Sequence, residues 1–149
     1  ISKFAVRYSF DYGVPHDIIG NWIRLTYIEN PGMAFGIQVG GQPFFTVFAV
    51  IATLIIFVYI FKARGEKISL RFALALILGG AIGNLIDRFL YGKVVDFVDI
   101  GVGNTRWPIF NLADSAVTIG MMILIMFVVF DKSPKASEEA KEVAAEKQA

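Results

Sequence analysis

The chain has 149 residues, a formal net charge of +1, 56% hydrophobic residues and a mean hydropathy of +0.61. It has no cysteine, which excludes disulfides, thiolate nucleophiles and thiolate metal sites. His16 is the single histidine and no HExxH or GxSxG motif occurs, so the commonest hydrolase signatures are excluded, and no spacing supports a carboxylate metal site or any other cofactor. No basic, aromatic-interleaved stripe points to nucleic acid. The apolar excess sits in three long runs, the pattern of a polytopic membrane protein.

Residues 1–12 mix apolar and basic side chains and are too short to span a bilayer. Two readings stand, the outer end of a helix that begins upstream or an amphipathic interfacial segment. The chain opens on Ile1-Ser2-Lys3 without an initiator Met, and a preceding segment is expected. Gly13-Val14-Pro15 breaks the helix, and His16 and Asp17 are expected in a turn, with His16 non-catalytic. Residues 22–37 change period, and the alternation of Trp22, Arg24 and Thr26 with Ile23, Leu25 and Tyr27 predicts a half-buried strand. Asn30-Pro31-Gly32 is a turn signal, and residues 33–37 are expected to return as a second strand. Asn30 is either a turn former or an amide donor to a site.

Residues 43–61 carry no charge and rise about 28 Å at helical pitch, enough for a first span. Lys62, Arg64, Lys67 and Arg71 then form a basic loop, cytoplasmic by the positive-inside rule. Residues 70–90 are the second span, with Gly79 and Gly83 at small-xxx-small spacing and Gly80 beside them. Residues 91–107 are read as a non-cytoplasmic connection, residues 112–130 as the third span, and residues 131–149 as a charged cytoplasmic tail. Three crossings leave the amino-terminal region outside; an upstream helix would make four.

Residues 79–115 gather Asn84, Asp87, Arg88, Asp96, Asp99, Asn111 and Asp114 between two apolar runs, and such groups beside hydrocarbon mark a functional site by default. Asn84, Asp87 and Arg88 lie at i, i+3 and i+4, on one helix face. The plain reading of Asp87 is an ion pair or cap with Arg88. Arg88 alternatively holds a substrate carbonyl or a lipid headgroup. Asn111 and Asp114 read as N-cap and third helical residue, yet Asp114 also opens a span. Asp96 is an acid in an apolar run. If the connection folds back so that Asp96 meets Asp114, the pair shares one proton and can activate water. Asp99 is the rival for Asp96.

In order and distance, GNLIDR (83–88), VVDF (94–97) and FNLADS (110–115) resemble the lipoprotein signal peptidases, or signal peptidase II. NPGMAF (30–35) with Gly36 is similar to that family's N-x-G-x-A-F segment. The resemblance extends from the first residues to about residue 130. It implies an all-α polytopic enzyme of the bacterial inner membrane, with four transmembrane helices and a small extracytoplasmic β-cradle, expected near residues 20–40. It implies cleavage of prolipoproteins just before a diacylglyceryl-modified cysteine, with Asp96 and Asp114 catalytic and Asn30, Asn84, Asp87, Arg88 and Asn111 lining or supporting the site. It implies inhibition by globomycin-type cyclic peptides that occupy the dyad, and contact with membrane lipids; a monomer is expected. The family's D-Q-x-S-K-like segment survives only as Ile1-Ser2-Lys3, so its aspartate and glutamine and the first helix are missing from this sequence.

A second hypothesis is a small proton-coupled transporter with Asp87, Asp96 and Asp114 as a relay. A third is an assembly subunit using the Gly79/Gly83 face.

Overall fold

A computed structural model describes residues 1–32 and 41–130, and of residues 41 and 42 the backbone alone. Among the described residues the protein is mostly helical, with three helices long and apolar enough to cross a membrane and one small antiparallel sheet. In order, helix α1 is Ser2–Ser9, strands β1 and β2 are Pro15–Ile19 and Ile23–Asn30, and helix α2 is Gly41–Lys62. A 3₁₀ turn, Ala63–Gly65, leads to α3 (Ile68–Tyr91); β3 (Val94–Val102), β4 (Thr105–Arg106) and α4 (Leu112–Phe130) follow.

The spans form because their runs have no competing polar period, and in two of the three few residues are fully buried. In α2 and α4 only 6% of the apolar window is buried, against 28% in α3, which stands between them. Side chains this exposed over three long helices match a hydrocarbon solvent. The α3–α4 contact is close because each helix supplies a glycine. A Cβ at Gly80 would collide with the Ala113 carbonyl and approach Val117 Cγ2 to 2.7 Å, and one at Gly120 would approach the Ala73 carbonyl to 2.7 Å. Of the three glycines read as a packing face, Gly80 and Gly83 meet α4, Gly80 most tightly, while Gly79 is corrected: it faces open space. The end of the bundle away from the sheet is closed by Ala63, Leu70 and Leu74 against Ile56, Ile60, Leu124 and Phe127.

The sheet order is β1-β2-β3-β4, antiparallel throughout. The half-buried strand read from the alternation over Trp22 to Tyr27 is present as β2, Ile23–Asn30. His16 and Asp17 lie in strand β1 rather than a turn, because Pro15 starts an edge strand whose missing donor costs nothing there. Residues 91–107, read as a connection, contain strands β3 and β4. Gly92, at φ 72, caps α3 in the left-handed region, and its N–H bonds the Arg88 carbonyl at 3.0 Å. The chain then enters β3, which pairs with β2 from Asn30↔Val94 to Ile23↔Ile100. The sheet thus draws half its strands from beyond residue 90 and is not confined to residues 20–40. Arg71 is in α3 and not in the basic loop. The second strand expected at residues 33–37 and the tail at 131–149 lie outside the described residues. Helix α1 covers one sheet face, where Val6 packs with Tyr27, Val95 and Phe97.

Candidate functional site

Strand period and helix capping together build the site. Along β3 alternate side chains point to opposite faces, so Asp96 turns away from Val95 and Phe97 and toward the start of α4. Asp96 is 2% exposed. Its Oδ1 accepts from Asn111 Nδ2 at 2.6 Å and its Oδ2 from Asn30 Nδ2 at 3.0 Å. Asn30 fills both roles foreseen for it, since its Oδ1 also accepts the Gly32 N–H at 2.9 Å and closes the turn.

Asn111 is fully buried and caps α4, its Oδ1 accepting from the N–H groups of Ala113 at 2.7 Å and Asp114 at 3.2 Å. Asp114 returns the bond, its Oδ2 accepting the Asn111 N–H at 3.1 Å, which makes a reciprocal capping box. The other oxygen of Asp114 is held by Asn84 Nδ2 at 2.7 Å. The capping reading and the site reading of this motif therefore describe one arrangement, because the box uses one Asp114 oxygen and turns the other to the site.

A cavity of about 630 Å³ opens on this group, lined by Asp96, Asp114, Asn30, Arg88, Phe45 and the segment from Trp107 to Phe110, among others. Burial raises the Asp96 pKa above the usual carboxylate range; the hydrogen bonds from Asn111 and Asn30 oppose this, and the nearby Asp114 charge adds to it.

The three polar residues at the end of α3 divide. Asn84 bridges Asp114 and Asn111, the latter through its Oδ1 at 3.2 Å. Arg88 lines the cavity. Asp87 does not pair with its neighbour Arg88: it forms an ion pair with Lys3 Nζ at 2.9 Å and accepts the Val95 N–H at 3.0 Å. One buried carboxylate thus ties α1, α3 and β3 together. Lys3 was missed as a site-supporting residue, although its Nζ also donates to Asn84 Oδ1 at 2.6 Å. The only signal was its place in the short Ile1-Ser2-Lys3 match. Asp99 lies away from the cavity, bound to Arg106 at 2.7 Å and Thr26 at 3.0 Å. His16 rests edge-on against Phe10. Among the described residues no group of His, Asp or Glu could hold a metal ion.

Three apolar helices meeting a small sheet, with two carboxylates on one partly open cavity at the junction, define a multi-pass membrane protein with a candidate site at the end of its spans. The architecture is similar to a solved bacterial membrane enzyme, with a TM-score of 0.78 and 34% identity over 90% of this chain and 82% of that one. A family model described as signal peptidase (SPase) II matches residues 1–130. The lipoprotein signal peptidase of Desulforapulum autotrophicum is 46% identical over 123 residues, 78% of this chain and 75% of its own. That of Burkholderia thailandensis is 46% identical over 129 residues, 84% of this chain and 76% of its own. The chain belongs to the signal peptidase II family and is a membrane protease.

Proposed function

We propose that the protein is an aspartic endopeptidase that removes signal peptides from diacylglyceryl-modified prolipoproteins, cleaving before the lipidated cysteine. The observation that carries this reading is the pair Asp96 and Asp114 on one cavity, joined through Asn111. Two carboxyls so placed share one proton, and the titration belongs to the pair. The more buried Asp96 is the protonated member. Asp114 takes a proton from water as the oxygen adds to the scissile carbonyl, while Asp96 donates its proton to the carbonyl oxygen. Asp114 then passes its proton to the departing amine as the C–N bond breaks, and the diol returns one to Asp96. Asn30, Asn84 and Asn111 hold the carboxylates, Arg88 faces the substrate backbone, and Asp87 fixes the frame through Lys3 and β3. The mechanism requires no cofactor.

The same reading has residues 1–130 as one membrane-embedded domain belonging to a four-helix family bundle, and residues 131–149 as a cytoplasmic tail. The site faces the extracytoplasmic side of the bacterial inner membrane, globomycin-type peptides bind across the dyad, and the enzyme works as a monomer among lipids. The proton-relay reading draws no support from the geometry. Within the three spans the acids are Asp87 and Asp114, both at the sheet end, so no acid line crosses the bilayer.

Purified Asp96→Asn and Asp114→Asn variants, presented with a lipidated precursor in vesicles, should stay folded and release no signal peptide. Wild-type turnover in either would overturn the dyad.

A further inference from the structure

One wall of the cavity is a single run of chain. Trp107, Pro108, Ile109 and Phe110 line it beside Asp96 and Asp114. The far end of this run is fixed to β3. The Phe110 carbonyl accepts the N–H groups of Phe97 at 3.0 Å and Val98 at 2.7 Å, and the Phe110 N–H returns to the Val98 carbonyl at 3.1 Å. The near end hangs from Arg106, the last residue of β4, with the Trp107 N–H bonded to the Ile100 carbonyl at 2.8 Å. Pro108 has no N–H to give. The near half of the wall therefore stands where β4 holds it.

β4 is two residues long, paired Gly101↔Arg106 and Val102↔Thr105, and so short a ladder holds little by itself. The Arg106 side chain supplies the rest. Its Nε donates to Asp99 Oδ1 at 2.8 Å; Nη2 pairs with the same oxygen at 2.7 Å and donates to the Asp99 carbonyl at 3.0 Å. Its Nη1 donates to the Asn21 carbonyl, in the turn between β1 and β2, at 2.5 Å. The stem lies against Gly101, where a Cβ would come within 2.8 Å of Arg106 Cα and Cδ. Asp99 is 6% exposed, and its other oxygen accepts the Thr26 hydroxyl at 3.0 Å. One guanidinium thus fastens β4 to β3 and to the turn ahead of β2. Buried ion pairs add little net stability over apolar side chains, and this one gives the wall a fixed starting point.

We propose that Asp99 and Arg106 are positioning residues of the cavity: their pair sets where the Trp107–Phe110 wall stands over Asp96 and Asp114, and so how tightly the apolar part of a substrate is held. The wall is apolar, as are Phe45 and Ile119 on the same cavity, so it grips hydrocarbon and not the scissile amide. Neither member of the pair touches a reacting group. The donors on the two carboxylates, Asn30, Asn84 and Asn111, come from β2, α3 and the cap of α4. Slack released at Arg106 stops at Phe110, whose three bonds to β3 stand between the wall and Asn111. Loss of the pair therefore weakens substrate binding and leaves the chemical step alone. The proposal rests on the peptidase reading for its substrate and not for the position of the wall.

The test uses the full chain in vesicles with a lipidated precursor. Arg106→Lys keeps the charge but not the fork, and Asp99→Asn keeps the shape but not the charge. Each should raise KM about tenfold, the scale of one lost apolar contact, with kcat within about twofold of the parent. If both variants melt well below the parent in detergent, Thr26→Val, which removes only the second bond to Asp99, should still raise KM several-fold without lowering kcat. The two tryptophans give a readout that needs no turnover. With Trp22→Phe as background, Trp107 is the sole tryptophan, and Arg106→Lys should lower its fluorescence anisotropy and raise its quenching by acrylamide. A parent that cleaves no lipidated precursor would sink the peptidase reading, and the Trp107 signal would still decide the wall. An unchanged Trp107 signal overturns the proposal. So does an unchanged KM in an active enzyme, or a loss confined to kcat.

Discussion

Asn111 Nδ2 donates to Asp96 Oδ1 at 2.6 Å, while the rest of Asn111 caps the helix that carries Asp114. One amide side chain thus sets the spacing between a strand and a helix. Its removal deletes a cap worth about 0.5–2 kcal/mol and leaves a buried carboxylate short of a donor. Asn111→Ala should lower the melting temperature in detergent modestly. It should cut peptide release more deeply, by roughly a hundredfold, as loss of one preorganised donor commonly does. Paired melting and turnover measurements separate the two effects.

The Lys3–Asp87 pair joins α1 to α3 with side-chain exposures of 12% and 8%. Breaking one side of a buried pair strands the other charge, at about 3–5 kcal/mol. Lys3→Met should therefore destabilise the protein strongly. Lys3→Met combined with Asp87→Asn should recover part of the loss, which a double-mutant cycle by denaturation in detergent would measure.

Gly79 and Gly80 are adjacent on α3 but meet different surroundings. Gly79→Ala should be neutral or stabilising by up to about 1 kcal/mol, since alanine is the better helix former. Gly80→Ala drives a methyl into the Ala113 carbonyl and should cost about 1–3 kcal/mol, typical of overpacking. Thermal unfolding of the two variants side by side would check the contrast.

Burial holds the Asp96 carboxyl above its ordinary value, so its folded form favours the proton. Its contribution to stability is fully present below the unfolded carboxylate value and is lost as pH rises through the raised folded value. The melting temperature of Asp96→Asn relative to the parent should therefore increase as pH is raised from about 4 to about 8. A constant difference would argue against a buried, proton-favouring Asp96.

Tyr27 donates its hydroxyl to Glu29 at 2.8 Å, and burial followed by that bond pushes its pKa up to about 12. The same bond lowers the Glu29 pKa. The tyrosine contribution to stability is fully present below about 10, its ordinary value, and is lost as pH rises through about 12. Absorbance of tyrosinate during alkaline titration should show one late ionisation in the parent that is absent in Tyr27→Phe.

The three spans were legible in the chain because hydrocarbon imposes a simple demand, about twenty apolar residues without charge. The third span was read at residues 112–130, and the structure has it as Leu112–Phe130. Local chemistry was legible as well. The Asn111/Asp114 capping box and the turn at Asn30 each depend on neighbours a few residues apart.

What depends on distant partners was not legible. β3 passed for a connection because its ladder forms with β2, from Asn30↔Val94 to Ile23↔Ile100, more than sixty residues away in the chain, and no local period announces it. Asp96 and Asp99 were rivals until the strand was known. The structure separates them by their partners, with Asp96 held by Asn111 and Asn30 on the cavity and Asp99 held by Arg106 and Thr26 away from it. The partner of Asp87 was likewise undecided, because Lys3 lies more than eighty residues away in the chain and only the packing of α1 on the sheet brings it near. The sequence determined which segments enter the membrane and which polar residues stand beside it, since solvent preference is a property of each segment alone. Tertiary structure decided which carboxylates share a cavity, because that follows from strand register and helix contact between segments far apart in the chain.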